Sequence, residues 1–170
     1  MQDAIFIAIC AFAVIAGIGL PIYRRIKSWI TISPQRVYVI DGDTIDCQSE
    51  RGRLRVRCKG YDAPERDQVG GEQATQRVRQ LVKEGPIRIR LIDFDRYGRA
   101  VADVRVARGS LQRIMLREGW AHYDSGSALA RFARTFIPRL MRRGIWRKGI
   151  LGLGVTRPDI HRRARNIMGG

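Results

Sequence analysis

Three stretches of this sequence carry residue types that could do chemistry together: Asp41-Gly42-Asp43-Thr44, then Arg57 with Asp62-Ala63-Pro64-Glu65, then Asp95-Arg96-Tyr97-Gly98-Arg99. An Asp-Gly pair alone is an ordinary turn former. The second stretch asks for more. Pro64 fixes its own φ and restricts Ala63 to extended geometry, so two carboxylates sit in a rigid loop that a solvated surface would not require. Two carboxylates and a backbone carbonyl make a hard oxygen site suited to Ca²⁺, or to Mg²⁺ with several waters retained. A third carboxylate nearby can orient or deprotonate a water. Two arginines opposite can hold a phosphate bidentately and stabilise the charge that builds on it during in-line attack. That inventory suits phosphodiester hydrolysis.

The elements that must position these groups follow from periodicity and punctuation. Val37 to Cys47 and Leu54 to Cys58 read as strands separated by a polar stretch with Gly52. Ala74, Val78, Leu81 and Val82 recur at helical spacing within a helix over Glu72 to Glu84, with Gly85 placed as its glycine cap. Ile87 to Ile92 and Ala100 to Val106 are the next strands, joined by a tight turn at Tyr97 and Gly98. Ser110 caps a short helix with Leu111, Ile114 and Met115 inward, ended by Gly119. A last helix starts near Ala128 with Leu129, Phe132, Ala133 and Phe136 on one face, and Pro138 is expected to kink or break it. Several short strands with about three helices predict an α+β domain, a closed five-stranded barrel of OB type with helices packed on it.

The boundaries are set by composition. The chain has 170 residues, enough for one modest domain and an appendage. Ala4 to Tyr23 contains no charged residue and no polar face. As a helix it spans about 30 Å, the hydrocarbon thickness of a bilayer, so a transmembrane helix is expected within residues 1–26. A cleaved signal peptide fits less well, because no Lys or Arg precedes the apolar run. Residues 27–35 form a linker, 36–148 the folded domain, and 149–170 a basic, flexible tail. The chain is therefore expected to be a single-pass membrane protein. Arg24, Arg25 and Lys27 after the span favour a cytoplasmic domain, and the side of the membrane is left open.

Lys and Arg total 32 against 16 acidic residues, a net charge of +16, which favours polyanionic partners through counterion release. Arg77, Arg79, Arg88 and Arg90 could form a phosphate-tracking surface, though solvated faces explain them equally well. Cys47 and Cys58 read as buried free thiols more readily than as a disulfide, and no Cys/His cluster suggests zinc. His122 and His161 are isolated and receive no role.

Taken together, Val39-Ile40-Asp41-Gly42-Asp43-Thr44, Arg57-x4-Asp62-Ala63-Pro64-Glu65 and Tyr97-Gly98-Arg99 resemble the thermonuclease (staphylococcal nuclease-like) family, and Arg143-Gly144-Ile145-Trp146 looks like its closing segment. The resemblance covers about Arg36 to Trp146. It implies Asp43 and Asp62 as Ca²⁺ ligands with the Ala63 carbonyl as a third oxygen, and Glu65 as the residue that positions or activates water. It also implies Arg57 and Arg99 on the scissile phosphate, Asp41 behind the ligands, and Arg96 and Tyr97 at the substrate border. The loop into Asp95 is short, and only Tyr123 and Asp124 follow Trp120, so the substrate rim departs from the family pattern. The expected function is a membrane-anchored, divalent-metal-dependent endonuclease acting on DNA or RNA, with no protein partner inferable. Two other readings compete: a non-catalytic polyanion-binding module, and an accessory role in building an anionic exopolysaccharide.

Overall fold

Along Ala100–Val106 even-numbered residues are buried and odd-numbered ones partly exposed, the period-two signature of a strand with one face on a core. In the computed structural model this strand is the centre of the molecule. The structure describes residues 28–50, 52–124, 127–141, 143–147 and 157–168. The apolar run from Ala4 to Tyr23 lies outside them; among the described residues, no helix is long and apolar enough to cross a membrane.

The strands are β1 (Ile30–Ile32), β2 (Val37–Val39), β3 (Thr44–Ser49), β4 (Gly52–Cys58), β5 (Tyr61–Asp62), β6 (Ile87–Phe94), β7 (Ala100–Val106), β8 (Gly109–Ser110) and β9 (His122–Tyr123). The helices are α1 (Gly71–Lys83), α2 (Leu111–Arg117), α3 (Ala128–Leu140) and α4 (Pro158–Met168). One sheet runs in the order β1-β6-β7-β4-β3-β2, with β8 also on β7. Its pairs are antiparallel except β4 with β7, which run parallel. The fold is OB-like and α+β as expected, but the sheet is a curled half-barrel of more strands than the closed five-stranded barrel predicted from sequence.

The differences have local causes. The single strand expected from Val37 to Cys47 is cut in two by the turn at residues 40–43. β1 falls in the segment read as a linker, where only Ile30 and Ile32 flank one polar residue. β5 and β9 form a separate two-residue pair, too short to show any period. Pro138 does not break α3, which runs two residues past it to Leu140. The face of α3 also differs: Thr135 and Pro138 are buried, while Leu129 and Phe136 are exposed. At α1, Glu84 is the C-cap in right-handed conformation, so Gly85 does not serve as a left-handed cap. α2 begins as expected, with the Ser110 hydroxyl accepting the Arg113 N–H.

The core lies between the sheet, α1 and α2. Ile45, Val56, Tyr61, Val78, Leu81, Ile87, Leu111 and Met115 are fully buried within it. Cys47 and Cys58 are free thiols in this core, and burial pushes each up to about 12. Arg77 of α1 clamps Glu118 after α2 with two bonds of 2.6 and 2.7 Å, tying the helices across the edge of the core.

Candidate active site

The turn between β2 and β3 is built by Asp41. Its Oδ1 accepts the backbone N–H of Asp43 at 2.9 Å and of Thr44 at 2.7 Å, an Asx-type turn made from its own side chain. Burial raises the Asp41 carboxyl above its ordinary range, against the bonds from Thr44 and the charge of Arg57. Gly42 is required here by contact: a Cβ would sit 2.5 Å from that of Ala63. The Tyr61 hydroxyl donates to the Gly42 carbonyl at 3.0 Å, so the turn is pinned against β5. This presents Asp43 inward. Its Oδ2 accepts the Ala63 N–H at 2.9 Å, and its Oδ1 takes the Thr44 hydroxyl at 3.1 Å.

Arg57 projects from β4 between two carboxylates. It pairs with Asp43 and, through Nη2, with Asp62 Oδ1 at 2.7 Å. Both aspartates are buried, and the Arg57 side chain is only 15% exposed, so these pairs are shielded from solvent screening. Glu65 follows on the same loop. Its N–H donates to Gln68 Oε1 at 2.8 Å, and a Cβ on Gly71 would come within 1.8 Å of its carbonyl oxygen. The start of α1 therefore packs directly on the backbone of the Glu65 loop.

A residue outside every motif of the sequence analysis completes the cluster. Arg162, on α4, donates from Nη1 to Glu65 Oε1 at 2.7 Å and from Nη2 to Asp62 Oδ2 at 3.0 Å. The two carboxylates hold its guanidinium more firmly protonated than usual, outweighing the cost of burial. Its neighbours His161 and Arg165 reach Asp67 at 3.1 and 3.3 Å. The segment expected to be a flexible tail thus contains a helix laid along the Asp62–Asp67 loop. Two signals mark that helix in sequence: Pro158 at a first helical position with Asp159 in the first turn, and arginines spaced 162 and 165 on one face.

The third cluster stands apart. Asp95 accepts the backbone N–H groups of Tyr97 and Arg99, each at 2.9 Å, and the Arg99 Nε at 2.7 Å. Arg96 bonds the Tyr97 hydroxyl at 2.6 Å, and both Arg96 and Arg99 lie over the Tyr97 ring. Among the described residues, Arg96 and Arg99 make no bond to Asp43, Asp62 or Glu65; Arg99 acts on the cluster through its charge, felt at Asp41. The structure so unites Asp41, Asp43, Arg57, Asp62, Ala63 and Glu65, and leaves Arg96, Tyr97 and Arg99 on a neighbouring turn. β4 and β7 pair in parallel with Arg57 beside Val101, which brings Arg99 to the same end of the sheet as Arg57. Among the described residues, no three His, Cys, Asp or Glu side chains come together as a metal-holding group.

Residues 55–148 match the staphylococcal nuclease homologue family. The chain belongs to that family. The match takes in Arg57, Asp62, Ala63, Glu65 and the 95–99 turn, while Asp41 and Asp43 lie before it. The chain is similar to a micrococcal nuclease of Shigella flexneri, 31% identical over 134 residues, covering 71% of this chain and 77% of the relative. An uncharacterized endonuclease of Escherichia coli O157:H7 is 30% identical over 136 residues, covering 75% and 88%. A probable staphylococcal-like nuclease of Oryza sativa subsp. japonica is 31% identical over 98 residues, 55% of this chain and 29% of the relative. Family and relatives together support a nuclease function.

Proposed function

We propose that this chain is a membrane-anchored endonuclease that hydrolyses DNA or RNA phosphodiesters with Ca²⁺ or a similar divalent ion. The observation that supports it best is the meeting of Asp43, Asp62 and Glu65 around two guanidiniums, from Arg57 and Arg162. A carboxylate cluster that gathers guanidiniums is chemically suited to cations, and a divalent ion would compete with Arg162 for Asp62 and Glu65. The donor set fits a hard divalent ion: the Asp43 and Asp62 carboxylates and the Ala63 carbonyl would hold it, with water completing the shell. When bound, such an ion would polarise a phosphoryl oxygen and acidify water.

The chain's own residues do the rest. Glu65, with its side chain 25% exposed, is the carboxylate open enough to take a proton from a water and return it to solvent. Arg57, already at the carboxylates, neutralises charge where an approaching phosphate would otherwise be repelled. Arg99 stands at the neighbouring turn to meet the phosphate from the other side, steadied by Asp95. Arg96 and the exposed Tyr97 offer a cation and an aromatic face at the border. The anchor rests on the Ala4–Tyr23 run alone. The test is nuclease activity of the full chain in non-ionic detergent. Cleavage of DNA or RNA in millimolar Ca²⁺ or Mg²⁺, abolished by chelator, is expected; a folded sample that cuts neither substrate with either ion sinks the reading.

A further inference from the structure

β6 and β7 carry an arrangement that the fold does not need. Their register sets Arg88 directly opposite Arg105, two like charges across one antiparallel pair, which destabilises a sheet. One step along the same ladder the sequence makes the ordinary choice: Arg90 faces Asp103 and bonds it at 3.2 Å. Over all three arginines lies a single indole. The guanidinium carbons of Arg88, Arg90 and Arg105 are 5.3, 5.0 and 4.9 Å from the centre of the Trp29 ring. A cavity of about 200 Å³ opens beside it, lined among others by Trp29, Lys59, Arg90, Arg105 and Arg113, and by Asp103, whose charge Arg90 takes up. Among the described residues, no carboxylate pairs with Lys59, Arg88, Arg105 or Arg113. Three guanidiniums around one indole, beside a polar cleft that Lys59, Arg105 and Arg113 line without a carboxylate partner, make an anion site with a stacking platform.

Its position gives the anion a context. Even residues of β7 face the core, so the odd ones, Val101, Asp103 and Arg105, share the outer face, and period two extends that face back to Arg99. Arg105 lies six positions beyond Arg99, about 20 Å along the strand. A single strand covers that distance in about six nucleotides when its bases stay stacked at about 3.4 Å each.

We propose that Trp29, Arg88, Arg90, Arg105, Lys59 and Arg113 form a second binding site for a backbone phosphate and base of a nucleic-acid strand, about six nucleotides from the scissile bond. The proposal rests on the nuclease reading for what lies at the other end of β7. It makes affinity depend on substrate length and leaves the chemical step untouched.

The test uses the full chain in non-ionic detergent and the double variant Arg88→Gln/Arg105→Gln, with fluorescein-labelled single strands of about 4 and about 20 nucleotides. Removing a like-charge pair leaves the variant at least as heat-stable as the parent, which a melting curve verifies. For the long strand KM is expected to rise about fivefold with kcat unchanged. The slope of log KM against log salt is expected to flatten by about 0.7–1.4, one to two phosphates. The short strand should show no difference. Equal KM and equal salt slope on the long strand overturn the proposal. If the parent cuts nothing, the nuclease reading fails separately, and anisotropy of the same strands in chelator still decides the site: weaker long-strand binding by the variant supports it, equal binding overturns it. Unchanged strand binding with a lost preference for phosphatidylglycerol over phosphatidylcholine vesicles also overturns it, assigning the face to the membrane.

Discussion

In the proposed reaction, Glu65 and Asp43 would be given different work by their surroundings. Asp43 is 4% exposed and has both oxygens engaged by Ala63, Thr44 and Arg57, so it is built to hold something still. Glu65 is more open, and its carboxylate is engaged by Arg162 from a separate helix, so it is built to exchange. Arg162→Gln should therefore tighten Ca²⁺ binding about tenfold or more, because a guanidinium no longer competes for Asp62 and Glu65 and charge-assisted bonds of this kind are worth about 1.5–3 kcal/mol. Calorimetric titration of the full chain measures this; weaker affinity would show that Arg162 supports the ligands, and equal affinity that it does not compete for them. Gly42→Ala should cost about 2 kcal/mol or more, because its Cβ meets Ala63 at 2.5 Å in a packed interior, and a chemical melt reads it. The motif residues themselves were legible in sequence, since Asp-Gly-Asp-Thr and Asp-Ala-Pro-Glu are short-range patterns. Arg162 was not, because its partners are 97 and 100 residues away and nothing local announces a long-range ion pair.

At the scale of elements, β3 and β4 carry the site on one end and an ion-pair knot on the other. Asp46 of β3 lies opposite Arg55 in the register and is bonded by Arg55 and Arg53, with the Arg55 Nε at 2.9 Å. The side-chain bond from Arg55 is the largest reason its carboxyl sits below the ordinary value of 3.8. A folded value below the unfolded one means the unfolded state binds the proton more readily, so the contribution is present above about 3.8 and is lost as pH falls through the folded value. Melting temperatures followed into acid should fall less steeply for Asp46→Asn than for the parent; parallel curves would show the pair is energetically silent. Strands with clear alternation, such as Ala100–Val106, were readable end to end, as was the apolar stripe of α1. β1, β5, β8 and β9 were not, because two or three residues show no period and only their partners make them strands. α3 misled for another reason: its amphipathic stripe includes Leu129 and Phe136, which the fold leaves exposed, while Pro138 sits inside the helix at the cost of one donor.

For the molecule as a whole, the half-barrel works as a positioning frame. Its parallel β4–β7 pair sets Arg57 and Arg99 at one end, and α1 buttresses the Glu65 loop through Gly71. The α+β class and OB-like frame were legible because hydrophobic periodicity repeats over many strands; sheet closure was not, because curl depends on long-range register. The net charge of +16 predicts steeply salt-dependent affinity for any nucleic acid, with about one unit of slope lost for each phosphate contact removed. All of this framing serves one proposed step, in which Glu65 handles the proton of the attacking water during metal-dependent cleavage. That step is read out by kcat of full-chain Glu65→Gln beside the parent, on one DNA substrate at saturating Ca²⁺, with folding verified by melting. A fall of about 10²–10⁴ with little change in KM is expected. An unchanged kcat would remove Glu65 from the chemistry.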